Sequence, residues 1–90
     1  MNIKRYKISI RGRVQGVGYR YWTRDIAQKL DITGFVKNMP NGDVYIEAEA
    51  IKEKLELFVF ECKQGPIRAR VETLTTMETS IENSQEFIIK

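Results

Sequence analysis

The hydrophobic pattern of this 90-residue chain changes twice between the period of a strand and the period of a helix. Residues 5–11 alternate strictly between apolar and polar side chains, which predicts a half-buried strand. Apolar residues at helical spacing then predict one helix over residues 21–31 and a second over residues 52–64. The other strand-like runs cover residues 33–39, 43–50, 69–78 and 86–90.

The predicted order of elements is βαββαβ with a short fifth strand at the C-terminal end, which belongs to the α+β class. Strands separated by helices, with a hairpin between them, indicate a ferredoxin-like α/β sandwich, in which two helices cover one face of a mainly antiparallel sheet. In this topology the first strand lies between the third and the fourth, and the third lies between the first and the second. No repeat or linker interrupts the pattern, so we predict a single domain over residues 1–90.

Composition excludes several kinds of chemistry and location. The chain contains no histidine, the usual general base near neutral pH and the commonest metal ligand, and we predict neither a metal nor a cofactor. Its one cysteine, Cys62, lies on the apolar stripe of the second helix and is predicted to be a core residue rather than a nucleophile. The basic N-terminal segment alternates instead of forming an apolar core, and no run approaches the roughly 18 apolar residues of a membrane span. We therefore expect a cytoplasmic monomer with no membrane partner.

The stretch GRVQGVGYR, residues 12–20, places three glycines in seven positions before an arginine. Glycine permits positive φ, so successive N–H groups can turn towards an anion, and the N-terminus of the following helix adds its dipole. Arg20 would supply a planar fork for two phosphate oxygens. A plain strand-to-helix connection has the same composition, and the spacing alone leaves both interpretations open.

The predicted topology brings a second polar residue to this loop. A crossover helix makes the first and second strands parallel, so their carboxyl ends lie at the same edge of the sheet. Asn38 lies near the end of the second strand and shares a face with Val36, two positions earlier. We therefore expect Asn38, the glycine-rich loop and the start of the first helix to converge.

Several motifs resemble those of the acylphosphatase family. They are GRVQGVGYR with the following Thr23, then TGFVKN, NGDV, QGPIRARV and the closing FIIK, and together they span essentially the whole chain. The resemblance implies a small ferredoxin-like enzyme that hydrolyses the carboxyl–phosphate bond of acyl phosphates to a carboxylate and inorganic phosphate. It also implies two catalytic residues, Arg20 to bind the phosphate and Asn38 to orient the attacking water. The implied phosphate loop consists of Gln15, Gly16, Val17, Gly18, Tyr19 and Arg20.

The chemistry implied by the resemblance needs neither histidine nor metal. A carboxylate leaves readily because the pKa of its conjugate acid is about 4, so no general acid is required. Phosphoryl transfer depends mainly on positioning and on donors around the phosphate, which backbone N–H groups and Arg20 can supply. Asn38 offers a donor and an acceptor without the charge of a carboxylate, which would repel the phosphate. Thr23, in the first turn of the helix, is predicted to support the loop.

Two other functions fit parts of the sequence. The fold class and the net charge of +3 also suit an RNA-binding module, which would stack bases on aromatic residues of the open sheet face. That face of the first strand instead carries Arg5 and Lys7. We expect these cations to pair with Glu47 and Glu49 of the third strand on a solvated face, and we expect no nucleic acid partner. A non-catalytic anion-binding domain is the second alternative, which the presence of both proposed catalytic residues disfavours.

Two positions depart from the family pattern. Asp31 stands where many members have glycine after the first helix, and Ala50 stands where many have glycine after the third strand. Aspartate tolerates a left-handed conformation less well than glycine, so we expect strain of roughly 1 kcal/mol if Asp31 directly follows the helix. Neither position lies at the proposed site.

Overall fold

The computed structural model describes residues 2–90, so the first residue of the predicted 1–90 domain lies outside the described range. All seven predicted elements are present in the predicted order. Neither helix within residues 2–90 is long and apolar enough to cross a membrane. The strands are β1 (Ile3–Arg13), β2 (Thr33–Asn38), β3 (Val44–Ile51), β4 (Arg70–Thr79) and β5 (Phe87–Ile89), and the helices are α1 (Tyr19–Lys29) and α2 (Lys52–Gln64).

The five strands form one mixed sheet in the order β4-β1-β3-β2-β5. Strand β1 is antiparallel to both β3 and β4, and β2 is antiparallel to β3, so the first strand lies between the third and the fourth as predicted. The short β5 extends the sheet by pairing with β2 in parallel. The predicted ferredoxin-like sandwich of a sheet and two helices is therefore confirmed.

The apolar core lies between the sheet and the two helices. Ile8 and Ile10 of β1 and Ile46 of β3 are fully buried, as the alternation of these strands predicts. Leu55 and Phe58 cover them from the inner face of α2 and are also fully buried. This packing fixes β1 and the helices relative to one another, and so fixes the loop that joins β1 to α1.

Helix α1 refines the sequence prediction at both ends. It begins at Tyr19, two residues earlier than predicted, because Gly18 adopts a left-handed conformation with a φ of 79° and lets the chain turn directly into the helix. The helix ends at Lys29, and Asp31 then adopts a φ of 56°. The expected left-handed conformation of Asp31 is confirmed, and the Lys54 ammonium donates to its carboxylate at 3.3 Å.

Strand β1 is longer than predicted because it includes Gly12 and Arg13. Gly12 has a φ of 140° and lies at a register shift where β1 pairs with β4. A Cβ atom at this position would collide with the backbone carbonyl of Arg70, so glycine allows the two strands to approach. The interpretation of Gly12 as part of an anion loop is therefore wrong, because this glycine serves the sheet.

The outer face of the sheet carries a buried group of charges, here called the outer-face cluster: Arg5, Glu47, Glu49, Glu82 and Ser84. The Arg5 side chain is 2% exposed and donates to Glu47 at 2.9 Å and to Glu49 at 3.0 Å. The predicted cross-strand charge pairing is thus confirmed. The expected solvation of this face is wrong for Arg5 and Glu49, because Glu82 and Ser84 lie over Arg5, with the Ser84 hydroxyl accepting a hydrogen bond at 2.7 Å.

Candidate active site

A pocket lies at the edge of the sheet where β1 and β2 end. Asn38 is the last residue of β2, and the loop between β1 and α1 runs beside it. The pocket has a volume of about 120 Å³, and its walls are formed by Val14, Gly16, Gly18, Tyr19, Arg20, Tyr21 and Asn38. The fold therefore brings together the loop, the start of α1 and Asn38, in the arrangement that the strand directions predict.

Valines anchor the loop and glycines shape it. Val14 and Val17 are buried and attach the loop to the core. Gly16 and Gly18 adopt φ values of 74° and 79°, and a Cβ atom at either position would meet no other atom within 4 Å. These two glycines are therefore required for their left-handed backbone conformation and not for lack of space.

The N–H groups of the loop are available to a ligand. None of the N–H groups of residues 15–18 donates a hydrogen bond to the part of the chain that the structure describes. The first bond of α1 runs from the Trp22 N–H to the Gly18 carbonyl at 3.1 Å, so the N–H groups of residues 19–21 precede the helical ladder. The first turn carries no acidic residue, and the helix dipole adds positive potential. Together these donors form a cradle suited to an anion such as phosphate.

Arg20 is half-buried at the pocket wall and is the only charged residue of that wall. Its Nη1 donates to the backbone carbonyl of Lys90 at 3.2 Å, the one hydrogen bond of this guanidinium to residues 2–90. A guanidinium has five donors in one plane, so Arg20 can still bind two oxygens of an anion. Among the described residues, no three His, Cys, Asp or Glu side chains are grouped so that they could hold a metal ion.

Asn38 presents an unsatisfied acceptor at the pocket. Its Oδ1 is the one buried side-chain polar atom without a hydrogen-bond partner in the described part of the chain. A buried acceptor without a partner costs about 1–3 kcal/mol, so its presence in a folded protein calls for a functional explanation. A water molecule that donates to Oδ1 would be held beside the loop.

The side chain of Gln15 joins the two halves of the site. Its Nε2 donates to the carbonyl of Met39 at 2.8 Å and to that of Asp43 at 2.9 Å, both in the turn between β2 and β3. Because Met39 directly follows Asn38, these bonds tie the loop to the asparagine. Sequence analysis indicated only a backbone role for Gln15, although the one polar side chain of the loop was a signal that it contacts another segment.

Tyr19 contributes its backbone to the loop, while its side chain attaches α1 to α2. The ring is buried, and its hydroxyl donates to the backbone carbonyl of Cys62 at 2.5 Å. Burial is the main effect that raises the pKa of the Tyr19 hydroxyl far above its usual value, so this group is a neutral donor. Burial likewise raises the pKa of the Cys62 thiol to about 12, and the prediction that Cys62 is a core residue is confirmed.

Thr23 is fully buried one turn into α1 and is not part of the pocket wall. Its hydroxyl donates to the carbonyl of Tyr19 at 2.8 Å, a hydrogen bond within the helix. This contact allows the predicted supporting role only through the first turn of α1, which carries Arg20.

Comparison with known proteins identifies the family. The family profile described as Acylphosphatase matches residues 6–89. A curated acylphosphatase of Thermotoga maritima is 42% identical over 88 residues, which cover 98% of each chain. The crystal structure of acylphosphatase from Bacillus subtilis superposes with a TM-score of 0.95 at 38% identity, covering 97% of this chain and 98% of that one.

A larger protein contains a similar unit. The crystal structure of full-length HypF in the phosphate- and nucleotide-bound form matches 99% of this chain with a TM-score of 0.89 at 30% identity, but the match covers only 12% of that protein. The Thermotoga and Bacillus proteins, in contrast, are matched over nearly their whole length. On the profile match and these identities, the chain belongs to the acylphosphatase family of hydrolases.

Proposed function

We propose that the protein hydrolyses the carboxyl–phosphate bond of acyl phosphates and releases a carboxylate and inorganic phosphate. The observation that carries this proposal is the buried, unpartnered Oδ1 of Asn38 in a pocket whose other polar groups are free N–H donors and Arg20. Such a pocket offers donors to a phosphoryl group and one acceptor to a water molecule. The family membership of the chain supports the same reaction.

The phosphoryl group binds to the loop in this proposal. The N–H groups of residues 15–19 surround its oxygens, and Arg20 and the dipole of α1 balance its charge. During phosphoryl transfer, negative charge is spread over the equatorial oxygens, which face the same donors. The loop therefore stabilises the transition state as well as holding the substrate.

Asn38 orients the attacking water. The water donates one hydrogen to Oδ1, and its oxygen attacks phosphorus in line with the leaving carboxylate. The new P–O bond forms while the bond to the carboxyl oxygen breaks, and the carboxylate leaves with the electron pair. The residues of the pocket wall include no His, Asp or Glu, so the proton of the water passes to an oxygen of the substrate phosphate.

The proposed reaction requires neither a metal nor a cofactor. The carboxylate leaves without a proton donor, and Arg20 with the loop amides supplies the positive electrostatic potential. Gln15 and Thr23 support the loop and the first turn of α1. All these residues belong to one chain, which supports a monomeric, single-domain enzyme, and the one free, buried cysteine is compatible with the cytoplasm.

Contacts on the outer face and in the pocket weigh against the two alternatives. An RNA-binding module of this fold class would use aromatic residues of the open sheet face. Here that face carries the outer-face cluster, and the Tyr45 hydroxyl donates to Glu47 at 2.7 Å. A domain that only bound an anion would gain nothing from the acceptor of Asn38, because an oxygen lone pair repels an anion.

Hydrolysis of benzoyl phosphate tests the proposal. The purified protein in EDTA should release benzoate and inorganic phosphate, and added phosphate should inhibit competitively. Asn38→Ala should lower kcat by about 10²-fold or more, because the water is no longer oriented. Asn2→Ala is the matched control, since Asn2 is exposed before the start of β1, and it should retain wild-type turnover.

Two results would contradict the proposal. Wild-type kcat in Asn38→Ala would remove the role given to that residue. Failure of the wild-type protein to hydrolyse benzoyl phosphate, together with salt-dependent binding of single-stranded RNA, would support the RNA-binding alternative instead.

A further inference from the structure

The pocket wall has one large exposed apolar surface, the ring of Tyr21. Val14 and Tyr19 are buried at 1% and 2% exposure, and their side chains are covered by the core. The two glycines of the wall have no side chain, and Arg20 and Asn38 are polar. Tyr21 is 58% exposed, so any apolar group at the mouth of the pocket meets its ring.

The size of the pocket directs the acyl group of a substrate towards this ring. The volume of about 120 Å³ lies well below the roughly 300–1,000 Å³ of pockets that enclose a drug-sized ligand. A phosphoryl group on the loop amides therefore occupies most of the pocket, and the acyl group must extend to its mouth. Tyr21 directly follows Arg20 in α1, so its ring lies beside the group that would hold the phosphate.

The ring of Tyr21 is held from one side by Arg24. The guanidinium carbon of Arg24 lies 5.5 Å from the ring centroid, within the range of a cation–π contact. Arg24 also pairs with Asp25 at 3.8 Å, which ties the guanidinium to the surface of α1. A ring already fixed in this way loses less conformational freedom when an acyl group packs on it.

We propose that Tyr21 forms an acyl-group subsite that favours acyl phosphates with an aromatic or extended apolar acyl group over those with a small one. This inference rests on the proposed function, because it assumes that the phosphoryl group of an acyl phosphate occupies the loop. Aromatic acyl groups gain an offset or edge contact with the ring, in addition to the burial of apolar area. An acetyl group is too short to gain the same contact.

The test compares two substrates in four proteins. The ratio of kcat/KM for benzoyl phosphate to kcat/KM for acetyl phosphate is measured in the wild type, Tyr21→Ala, Tyr21→Phe and Phe60→Ala, with spontaneous hydrolysis subtracted. Because each ratio is compared with that of the wild type, the different intrinsic reactivities of the two substrates cancel. Phe60 is the matched control, since it is 60% exposed on α2 and is not part of the pocket wall.

Tyr21→Ala should lower the ratio by about 3- to 10-fold, the range that corresponds to one aromatic contact. Tyr21→Phe keeps the ring and should keep the ratio, and Phe60→Ala should leave it unchanged. The inhibition constant of inorganic phosphate, which has no acyl group, should stay the same in all four proteins. Circular dichroism and thermal unfolding check that each variant is folded.

The outcomes separate this inference from the proposed function. An unchanged ratio in Tyr21→Ala, with both substrates still hydrolysed, would overturn the subsite and leave the proposed function intact. An equal loss for both substrates with weaker phosphate inhibition would also overturn it, because Tyr21 would then act on the phosphoryl group. Failure of the wild type to hydrolyse either substrate would instead contradict the proposed function.

Discussion

Two arginines of this molecule use the same side chain for opposite purposes. Arg5, in the outer-face cluster, is 2% exposed and donates to Glu47, Glu49 and Ser84. Arg20, at the pocket, is half-buried and donates only to the carbonyl of Lys90 among residues 2–90. The donors of Arg5 are thus satisfied by the protein, whereas most of those of Arg20 remain for a ligand.

The cavities beside the two arginines show why this difference matters. The depression at Arg5 has a volume of about 270 Å³ and is larger than the pocket of about 120 Å³ at Arg20. Volume alone would favour the larger one, yet its arginine is already neutralised by carboxylates. The buried atom without a partner, Asn38 Oδ1, belongs to the smaller one. Unsatisfied polar groups therefore identify the candidate site better than volume does.

Replacement of Arg5 should have the largest effect, and that effect should be on stability. Arg5→Met removes the positive charge and leaves Glu47 and Glu49 without their partner in a mostly buried site. Removal of one partner from a buried ion pair costs about 3–5 kcal/mol. Urea unfolding should show a loss of this size, while kcat measured well below the unfolding midpoint should stay close to the wild-type value.

The carboxylates provide a control for this prediction. Adding Glu47→Gln and Glu49→Gln to Arg5→Met should recover part of the lost stability, because uncompensated charges are then removed. A loss below about 1 kcal/mol in Arg5→Met would mean that the cluster behaves like a solvated surface ion pair. The contrast between the two arginines would then fail on the side of Arg5.

The same substitution at Arg20 should give the reverse pattern. Loss of one preorganised donor typically lowers kcat by about 10²–10³-fold, or about 2.7–4 kcal/mol, and Arg20→Met should fall in this range. The free energy of unfolding should change by about 1 kcal/mol or less, because the hydrogen bond lost is the one to the Lys90 carbonyl. Hydrolysis and urea unfolding, measured on one preparation, give both numbers. A loss of stability equal to that of Arg5→Met would contradict the comparison.

Gln15 should combine both effects at a smaller size. Gln15→Leu removes the two hydrogen bonds that tie the loop to Met39 and Asp43, at about 0.5–1.5 kcal/mol each. The two carbonyls keep backbone partners, since Gly42 donates to Met39 and Met39 donates to Asp43, so neither becomes an orphan. Urea unfolding should show a loss of about 1–2 kcal/mol, and kcat should fall more than phosphate binding weakens. Unchanged kcat would mean that the loop and Asn38 are held together by other contacts.

The two regions also differ in how far sequence analysis could predict them. The convergence of the loop and Asn38 depends only on the directions of β1 and β2, which the order of elements determines. The burial of Arg5 depends on Ser84, 79 positions later, in a segment without regular secondary structure and without a hydrophobic period. The alternation of β1 therefore identified a polar face correctly but could not show that another segment covers it.

Two residues of the loop region show the same limit at shorter range. The left-handed glycines could be predicted from composition, but Gly12 belongs to the sheet because of its approach to Arg70. The side chain of Gln15 reaches carbonyls 24 and 28 positions later, and no local pattern encodes such a contact. Local conformation followed from residue type, whereas these partners required the assembled fold.

The acid sensitivity of the outer-face cluster should be the smallest of the effects. Burial by itself raises the pKa of Glu47, but hydrogen bonds from the Tyr45 hydroxyl and from Arg5, with the charges of Arg5 and Lys7, outweigh it and lower this pKa below its ordinary value near 4.5. The unfolded state therefore binds a proton more readily than the folded state. The resulting stability is fully present above about pH 4.5 and is lost as the pH falls through the lowered pKa.

Glu47→Gln should make the free energy of unfolding less dependent on pH below about 4.5, while leaving its slope at higher pH unchanged. Urea unfolding between about pH 3 and 6 measures both slopes. The pocket wall includes no carboxylate, so acid should act on the cluster without titrating a residue of that wall. An identical acid slope in Glu47→Gln and wild type would assign the transition to another carboxylate. A slope lost only in the variant would show that the protein uses Glu47 to hold Arg5 in place, a constraint from which Arg20 is free.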